Sequence, residues 1–269
     1  IAGARFNIHT SACLTRKEQS QRDMAIEGKK GVRQAVFDFH SHGFGNCGPT
    51  SGHIIPGYAE ILQYGFKKIY TDLSKNYISL NSIEQSGKKG QQLKAMLTAC
   101  EMPRDLAFVY ACLADSLAER EADLERISEL RQMAENLRRV PWEGATNFWE
   151  AVQSLWLTHM LVMSDENYPG PGVSFGRLDQ YLLPYWEKSK ADGMSREFAK
   201  EILKCFWIHA NTVYDSMIRV GNQGITAGFG QLLSLSGMGP QGTDLTNELT
   251  YLILEVIDDL SPILEPKPN

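Results

Sequence analysis

The stretch from Pro141 to Tyr185 constrains this chain most. It opens with Pro141-Trp142, and the apolar spacing then predicts a helix from Asn147 to about Met163. Asn147 can cap that helix, with Glu150 three residues on at capping-box spacing. Phe148, Ala151, Val152, Leu155, Trp156, His159 and Met163 wrap so far round it that it should be mostly buried. The chain breaks at Asn167-Tyr168-Pro169-Gly170-Pro171-Gly172. It resumes with Val173-Ser174-Phe175-Gly176-Arg177-Leu178-Asp179-Gln180-Tyr181. Polar loop groups presented by a rigid helical frame are where function tends to sit. The same residues also fit a plain helix–loop–helix corner in which Arg177 and Asp179 tie the turn together.

Composition narrows the function classes. The 269 residues make one large domain or two small ones, and 43% hydrophobic with 22% charged residues is an ordinary globular balance. A net charge of −5 offers no field for nucleic acid or an anionic membrane. No apolar run is long enough to span a bilayer and no basic-plus-apolar leader is present, so the expectation is a cytoplasmic protein without a membrane or nucleic-acid partner. The chain runs from Ile1 to Asn269 and ends on the extended Pro262–Pro268 stretch, which reads as a segment of a longer polypeptide. The five cysteines, Cys13, Cys47, Cys100, Cys112 and Cys205, are scattered and argue against a disulfide framework or a Cys-only zinc site. Cys100 and Cys112 fall in helical patterns and are expected as small buried hydrophobes.

Along the chain, a short helix is predicted near Lys17–Glu27 and a strand at Val36–Gly43. A helix should start near Pro56, bury Tyr58, Ile61 and Leu62, and end at Gly65. Residues 91–140 are helical in pattern, and Pro103 divides them into helices at about 80–100 and 104–138. Leu106, Val109, Tyr110, Leu113, Leu117, Leu124, Ile127, Leu130, Met133 and Leu137 supply the apolar face. Ser195 should cap a helix over Arg196–Arg219 that buries Phe198, Ile202, Cys205, Phe206 and His209. Gln231–Ser236 reads as a strand, and Thr243 or Asp244 opens a last helix to about Asp258. The class is α/β or α+β, dominated by helices.

Four places carry candidate chemistry. His40-x-His42 at the end of the first predicted strand could offer two imidazoles to a metal, as in a metal-dependent hydrolase. His53, between a glycine-rich approach and Pro56, could exchange a hydrogen bond with a substrate oxygen, or simply satisfy its own turn. Ser174, beside Gly176-Arg177, could help hold a carboxylate or hydroxyl, but no nucleophile elbow surrounds it. Gly221–Gly230 is not a dinucleotide fingerprint; its glycines suit close backbone approach, with Phe229 projecting into a cavity or the core. His159 and His209 read as core imidazoles bonded to a neighbour.

Taken together, Gly52-His53-Ile54-Ile55-Pro56, the run Pro141–Trp156 with Asn147-Phe148-Trp149-Glu150-Ala151-Val152-Gln153 at its heart, and Ser174-Phe175-Gly176-Arg177-Leu178-Asp179-Gln180-Tyr181 resemble the glycyl radical enzymes. These are pyruvate formate-lyase-like proteins, and the resemblance is strongest to the branch of diol, choline and hydroxyproline lyases and arylacetate decarboxylases. Thr226–Gly237 and Asp244–Glu255 extend the likeness, in order, from about Gly48 to Asn269.

The resemblance implies an α/β fold, the helix-rich part of a ten-stranded barrel built from two half-barrels. It implies an oxygen-sensitive bacterial lyase or formate acetyltransferase-like enzyme acting on a small organic substrate. A glycyl radical, installed by a radical-SAM activating enzyme, would pass to a catalytic cysteine; a homodimer is the family habit. No Cys-x-Glu occurs here, because Thr15, Pro49, Met102, Ala114 and Trp207 stand two positions after the five cysteines; an Arg-Val-x-Gly-Tyr motif is also missing. Residues 1–269 are therefore expected to form a partial domain that stops before both motifs, with no catalytic residue, no metal and no bound cofactor of its own. The positions matching the family's substrate contacts are His53, Ser174 and Phe229. Where a polar residue often stands four positions after the first of these, this chain has Gly57. Arg177, Asp179 and Gln180 are expected to pin the turn. A non-catalytic helical scaffold remains the other alternative to the lyase.

Overall fold

The computed structural model describes residues 54–165, 172–212, 231–262 and 265–268. The predicted helix at 17–27, the predicted strand at 36–43, His40, His42, His53 and Phe229 lie outside these residues.

Helix α1 spans Tyr58–Ile78 and is interrupted at Gly65, whose φ of 68° and ψ of 170° are non-helical. The predicted stop at Gly65 is therefore a kink. The helix restarts because the loop after Val140 inserts there: Phe66 N–H donates to the Pro141 carbonyl at 3.0 Å and Lys67 N–H to the Trp142 carbonyl at 2.8 Å. These satisfy donors that the break would orphan. Below the kink, Ala145 N–H donates to the Leu62 carbonyl at 2.8 Å.

Helix α2, Ser82–Ser86, is a single turn closed by an Asn81/Glu84 capping box. Helix α3, Lys88–Ala118, runs straight through Pro103, so the predicted division there is wrong. The break falls at residues 119–123, where the Asp123 carboxylate accepts from Glu125 and Arg126 N–H and starts α4, Leu124–Arg139. The predicted apolar face is corrected too. Val109, Leu113 and Leu117 are exposed, while Ala107, Ala111, Ala114 and Ala118 form the buried stripe. Small residues let α3 close onto Leu130, Ala134 and Leu137 of α4 and onto Leu157 and Met160 of the next helix.

Helix α5, Phe148–Asp165, is the buried helix expected from its sequence. Asn147 Oδ1 accepts from Glu150 N–H at 2.9 Å, but the Glu150 carboxylate turns to the N–H and hydroxyl of Thr146, so the capping box is half formed. Helix α6 spans Leu178–Ala191 and α7 spans Arg196–Thr212, with Phe198 N–H capped by Ser195 Oγ at 3.1 Å. Cys205 on α7 and Cys112 on α3 are exposed, against expectation; Cys100 is buried. The buried face of α7 is Ala199, Ile202, Leu203, Phe206, Trp207 and Ala210.

Strand β1 is Leu232–Leu233, and α8, Glu248–Asp259, begins at Asn247 with Thr250 completing its capping box. Asp244, expected at that start, instead bonds Thr246 in the preceding turn. Strand β2, Lys267–Pro268, pairs parallel with β1, Leu232 opposite Lys267. Gly176 bridges Leu233, also parallel. Three extended segments, at 173–176, 231–234 and 265–268, thus lie side by side. The first is joined on its other side to residue 54, where Ser174 N–H donates to the Ile54 carbonyl at 2.9 Å. One hydrophobic cluster, including Tyr58, Phe148, Phe175, Leu182, Trp186, Phe206, Leu233 and Leu252, backs these segments with α1 and α5–α8. Among the described residues no helix is long and apolar enough to cross a membrane.

Candidate functional site

The exposure of the extended segments alternates. Val173 and Phe175 are fully buried and Ser174 between them is half-buried; Gln231 and Leu233 are buried while Leu232 and Ser234 are exposed. Period-two alternation places the buried set toward the helices and the other set on the opposite side. Ser174 is therefore presented away from the helical frame. Its backbone is bound to residue 54, directly after His53.

Behind Ser174 sits a buried polar chain that the sequence reading did not assemble. His159, fully buried on α5, lies with its ring nearly parallel to Phe175, centroids 3.9 Å apart and planes 27° apart. Gln231 Nε2 donates to the Ala210 carbonyl at 3.0 Å, which leaves Gln231 Oε1 to accept from His159 Nε2–H at 2.8 Å. His159 Nδ1 then carries the lone pair and accepts the Tyr58 hydroxyl at 2.6 Å. Burial drives the imidazole toward its neutral form, with its pKa pulled down to about 3 although the Gln231 contact works the other way. Burial likewise pushes the Tyr58 phenol well above its ordinary range. The chain continues as Gln231 N–H donates to the buried Glu265 carboxylate at 3.0 Å, whose other oxygen faces Lys267 Nζ at 3.3 Å.

His159 was expected as a bonded core imidazole, and it is one. Its partners Tyr58 and Gln231, and the link from Gln231 to Glu265, were not anticipated. The available signal was a lone ionisable residue inside the apolar run Leu155–Val162; periodicity cannot say what such a residue bonds.

Arg177, Asp179 and Gln180 do not converge on Ser174. Arg177 donates to the Ser236 carbonyl at 2.5 Å, Asp179 Oδ2 accepts from Ser236 N–H at 2.7 Å and the Thr250 hydroxyl at 2.6 Å, and Gln180 donates to the Leu245 carbonyl at 2.9 Å. They pin a distant loop, residues 234–247, rather than their own turn. Among the described residues no group of three or more His, Cys, Asp or Glu could hold a metal ion.

Among the described residues, helices cover one side of short parallel segments, and the half-buried Ser174 lies on the other side. The chain belongs to the pyruvate formate lyase-like family, whose model matches residues 15–269. It is 34% identical over 203 residues to the isethionate sulfite-lyase of Desulfovibrio desulfuricans, covering 74% of this chain and 24% of that protein. Among solved structures it resembles the hydroxyproline dehydratase of Clostridioides difficile with trans-4-hydroxy-L-proline bound, at a TM-score of 0.68 and 28% identity over 82% of this chain and 28% of the other. A glycyl radical enzyme from Archaeoglobus fulgidus gives a TM-score of 0.67 at 33% identity, over 78% of this chain and 27% of the other. The chain thus spans about a quarter of the length of these relatives.

Proposed function

We propose that this chain is the front part of a glycyl radical lyase that cleaves a C–O, C–S or C–C bond of a small organic substrate. In this reading residues 1–269 are a partial domain. The parallel segments belong to the first half of a ten-stranded barrel, and the catalytic cysteine and radical glycine come from sequence outside this chain. The observation that carries the reading is the sidedness of the segments: helices bury one side, and Ser174 stands on the other. Ser174 would hydrogen-bond a substrate hydroxyl or carboxylate, His53 a substrate oxygen, and Phe229 would supply apolar wall. The radical group, when present in the parent, supplies hydrogen abstraction; this chain's residues bind and orient. The remaining expected partners are a radical-SAM activating enzyme and a second copy of the parent.

Family membership favours this reading over a metal-dependent hydrolase built on His40 and His42 and over a non-catalytic scaffold. The names of relatives guide the test. The full-length polypeptide, activated without oxygen, would be offered isethionate, trans-4-hydroxy-L-proline and related hydroxylated acids and diols. Release of sulfite, water or carbon dioxide that requires activation and is abolished by air supports the proposal. Zinc-dependent hydrolysis lost on replacing His40 and His42 would overturn it.

A further inference from the structure

We infer that His159 is a positioning residue that holds the substrate-contact segments in register, an inference that rests on the reading of His53, Ser174 and Phe229 given above. One imidazole reaches three segments far apart in sequence. Its Nδ1 holds Tyr58, five residues after His53. Its face lies on Phe175, next to Ser174. Its Nε2 holds Gln231, two residues after Phe229. Gln231 then passes the connection to the 265–268 segment through Glu265.

Packing alone does not call for this residue. A phenylalanine or leucine would fill the space without desolvating two nitrogens, and a buried polar group costs stability unless it is bonded. Here both nitrogens are used, each on a different segment, and both are fixed by a single tautomer. Gln231 repeats the pattern, with its Oε1, Nε2 and backbone N–H each bonded. A chain of fully satisfied buried bonds rigidifies what it joins. What it joins are the described segments beginning at Ile54, Val173 and Gln231; the direct link from Ser174 N–H to the Ile54 carbonyl lies in the same assembly.

Amide hydrogen exchange on the full-length polypeptide, not activated, tests this without a known substrate. His159→Phe keeps a ring against Phe175 and removes both hydrogen bonds. His159→Gln keeps a donor and an acceptor. Tyr58→Phe removes one arm only. In His159→Phe, segments 173–176 and 231–234 should exchange together, roughly tenfold or more faster, as expected when buried hydrogen bonds are lost. The α3–α4 hairpin should be unchanged, and His159→Gln should recover most of the protection. Tyr58→Phe should loosen residues 54–58 and 173–176 and leave 231–234 near wild type.

In the activated enzyme, His159→Phe should raise KM for the turned-over substrate more than it lowers kcat, with His159→Gln restoring KM. An enzyme that shows no radical turnover at all counts against the proposed lyase, whereas the exchange pattern decides the role of His159 by itself. Faster exchange confined to α5, or spread evenly over the chain, or a His159→Gln variant no better than His159→Phe, would overturn the inference. If His159→Phe does not fold, Tyr58→Phe decides: even loosening over the whole chain contradicts the positioning role.

Discussion

Asp179 reaches 71 residues along the chain to Thr250, whose hydroxyl donates to its Oδ2 at 2.6 Å, and the same oxygen accepts from Ser236 N–H at 2.7 Å. A fully buried carboxylate at the start of α6 thereby anchors both the loop after β1 and the first turn of α8. Arg177 contacts the same Ser236 from the exposed side. Asp179→Ala should cost about 2–4 kcal/mol, because a buried hydroxyl and a part-buried N–H lose their acceptor. Arg177→Ala should cost about 1 kcal/mol at most. Denaturant unfolding of the two variants gives the comparison, and equal losses would contradict this assignment.

Gly65 is required twice over. Its φ is 68°, and a Cβ there would stand 2.2 Å from the Trp142 carbonyl oxygen. Gly65→Ala should therefore destabilise by about 3 kcal/mol or more. Gly193 has a φ of 98° with open space around it, so Gly193→Ala should cost only the backbone strain, about 1–2 kcal/mol. Thermal unfolding of the pair separates strain from collision.

His159 makes stability depend on pH with a definite sign. Its folded pKa of about 3 lies below the ordinary imidazole value of 6.5, so between these values the unfolded chain binds a proton that the folded one refuses. Stability is therefore complete above about pH 6.5 and falls as pH drops toward 3. The loss attributable to this one group between pH 7 and pH 5 is about 2 kcal/mol. Unfolding curves of wild type and His159→Gln should diverge by about that much across this interval, since other groups titrate alike in both. Parallel curves would show that the imidazole accepts a proton in place.

On the proposed reading, Ser174 and its neighbour Phe175 have different duties. Ser174→Ala in the activated full-length enzyme should raise KM about 10- to 100-fold, the weight of one substrate hydrogen bond. Phe175→Ala should cost about 3–5 kcal/mol through the cavity it leaves against His159 and Phe206. Kinetics and unfolding on both variants check the division.

Much of the frame was legible because local rules and tertiary packing agree there. The burial of α5, the Asn147 cap and the Ser195 cap follow from spacing and end signals, whereas the end expected at Gly65 is a kink in a helix that continues to Ile78. Helix α3 misled for a physical reason. Its partners approach on alanines, so the large side chains Val109, Leu113 and Leu117 that look like a core face are left outside. Pro103 misled because an internal proline removes one donor, and a long helix can absorb that loss, whereas the real break lies after Ala118, where Asp123 caps the first turn of α4. Near Ser174, the structural role of Arg177, Asp179 and Gln180 was legible, but the expectation that they pin their own turn was not met, because their partners lie 57 to 71 residues further on. The chain Tyr58–His159–Gln231–Glu265 was not legible, because its members are 101, 72 and 34 residues apart and no local pattern couples them.

The central claim is that this chain is the front of a glycyl radical lyase, and electron paramagnetic resonance tests it most directly. The full-length polypeptide would be treated anaerobically with an activating enzyme already competent on another family member. The account predicts a glycine-centred radical signal that disappears in air and is absent when the downstream radical glycine is replaced. No organic radical under those conditions would contradict it.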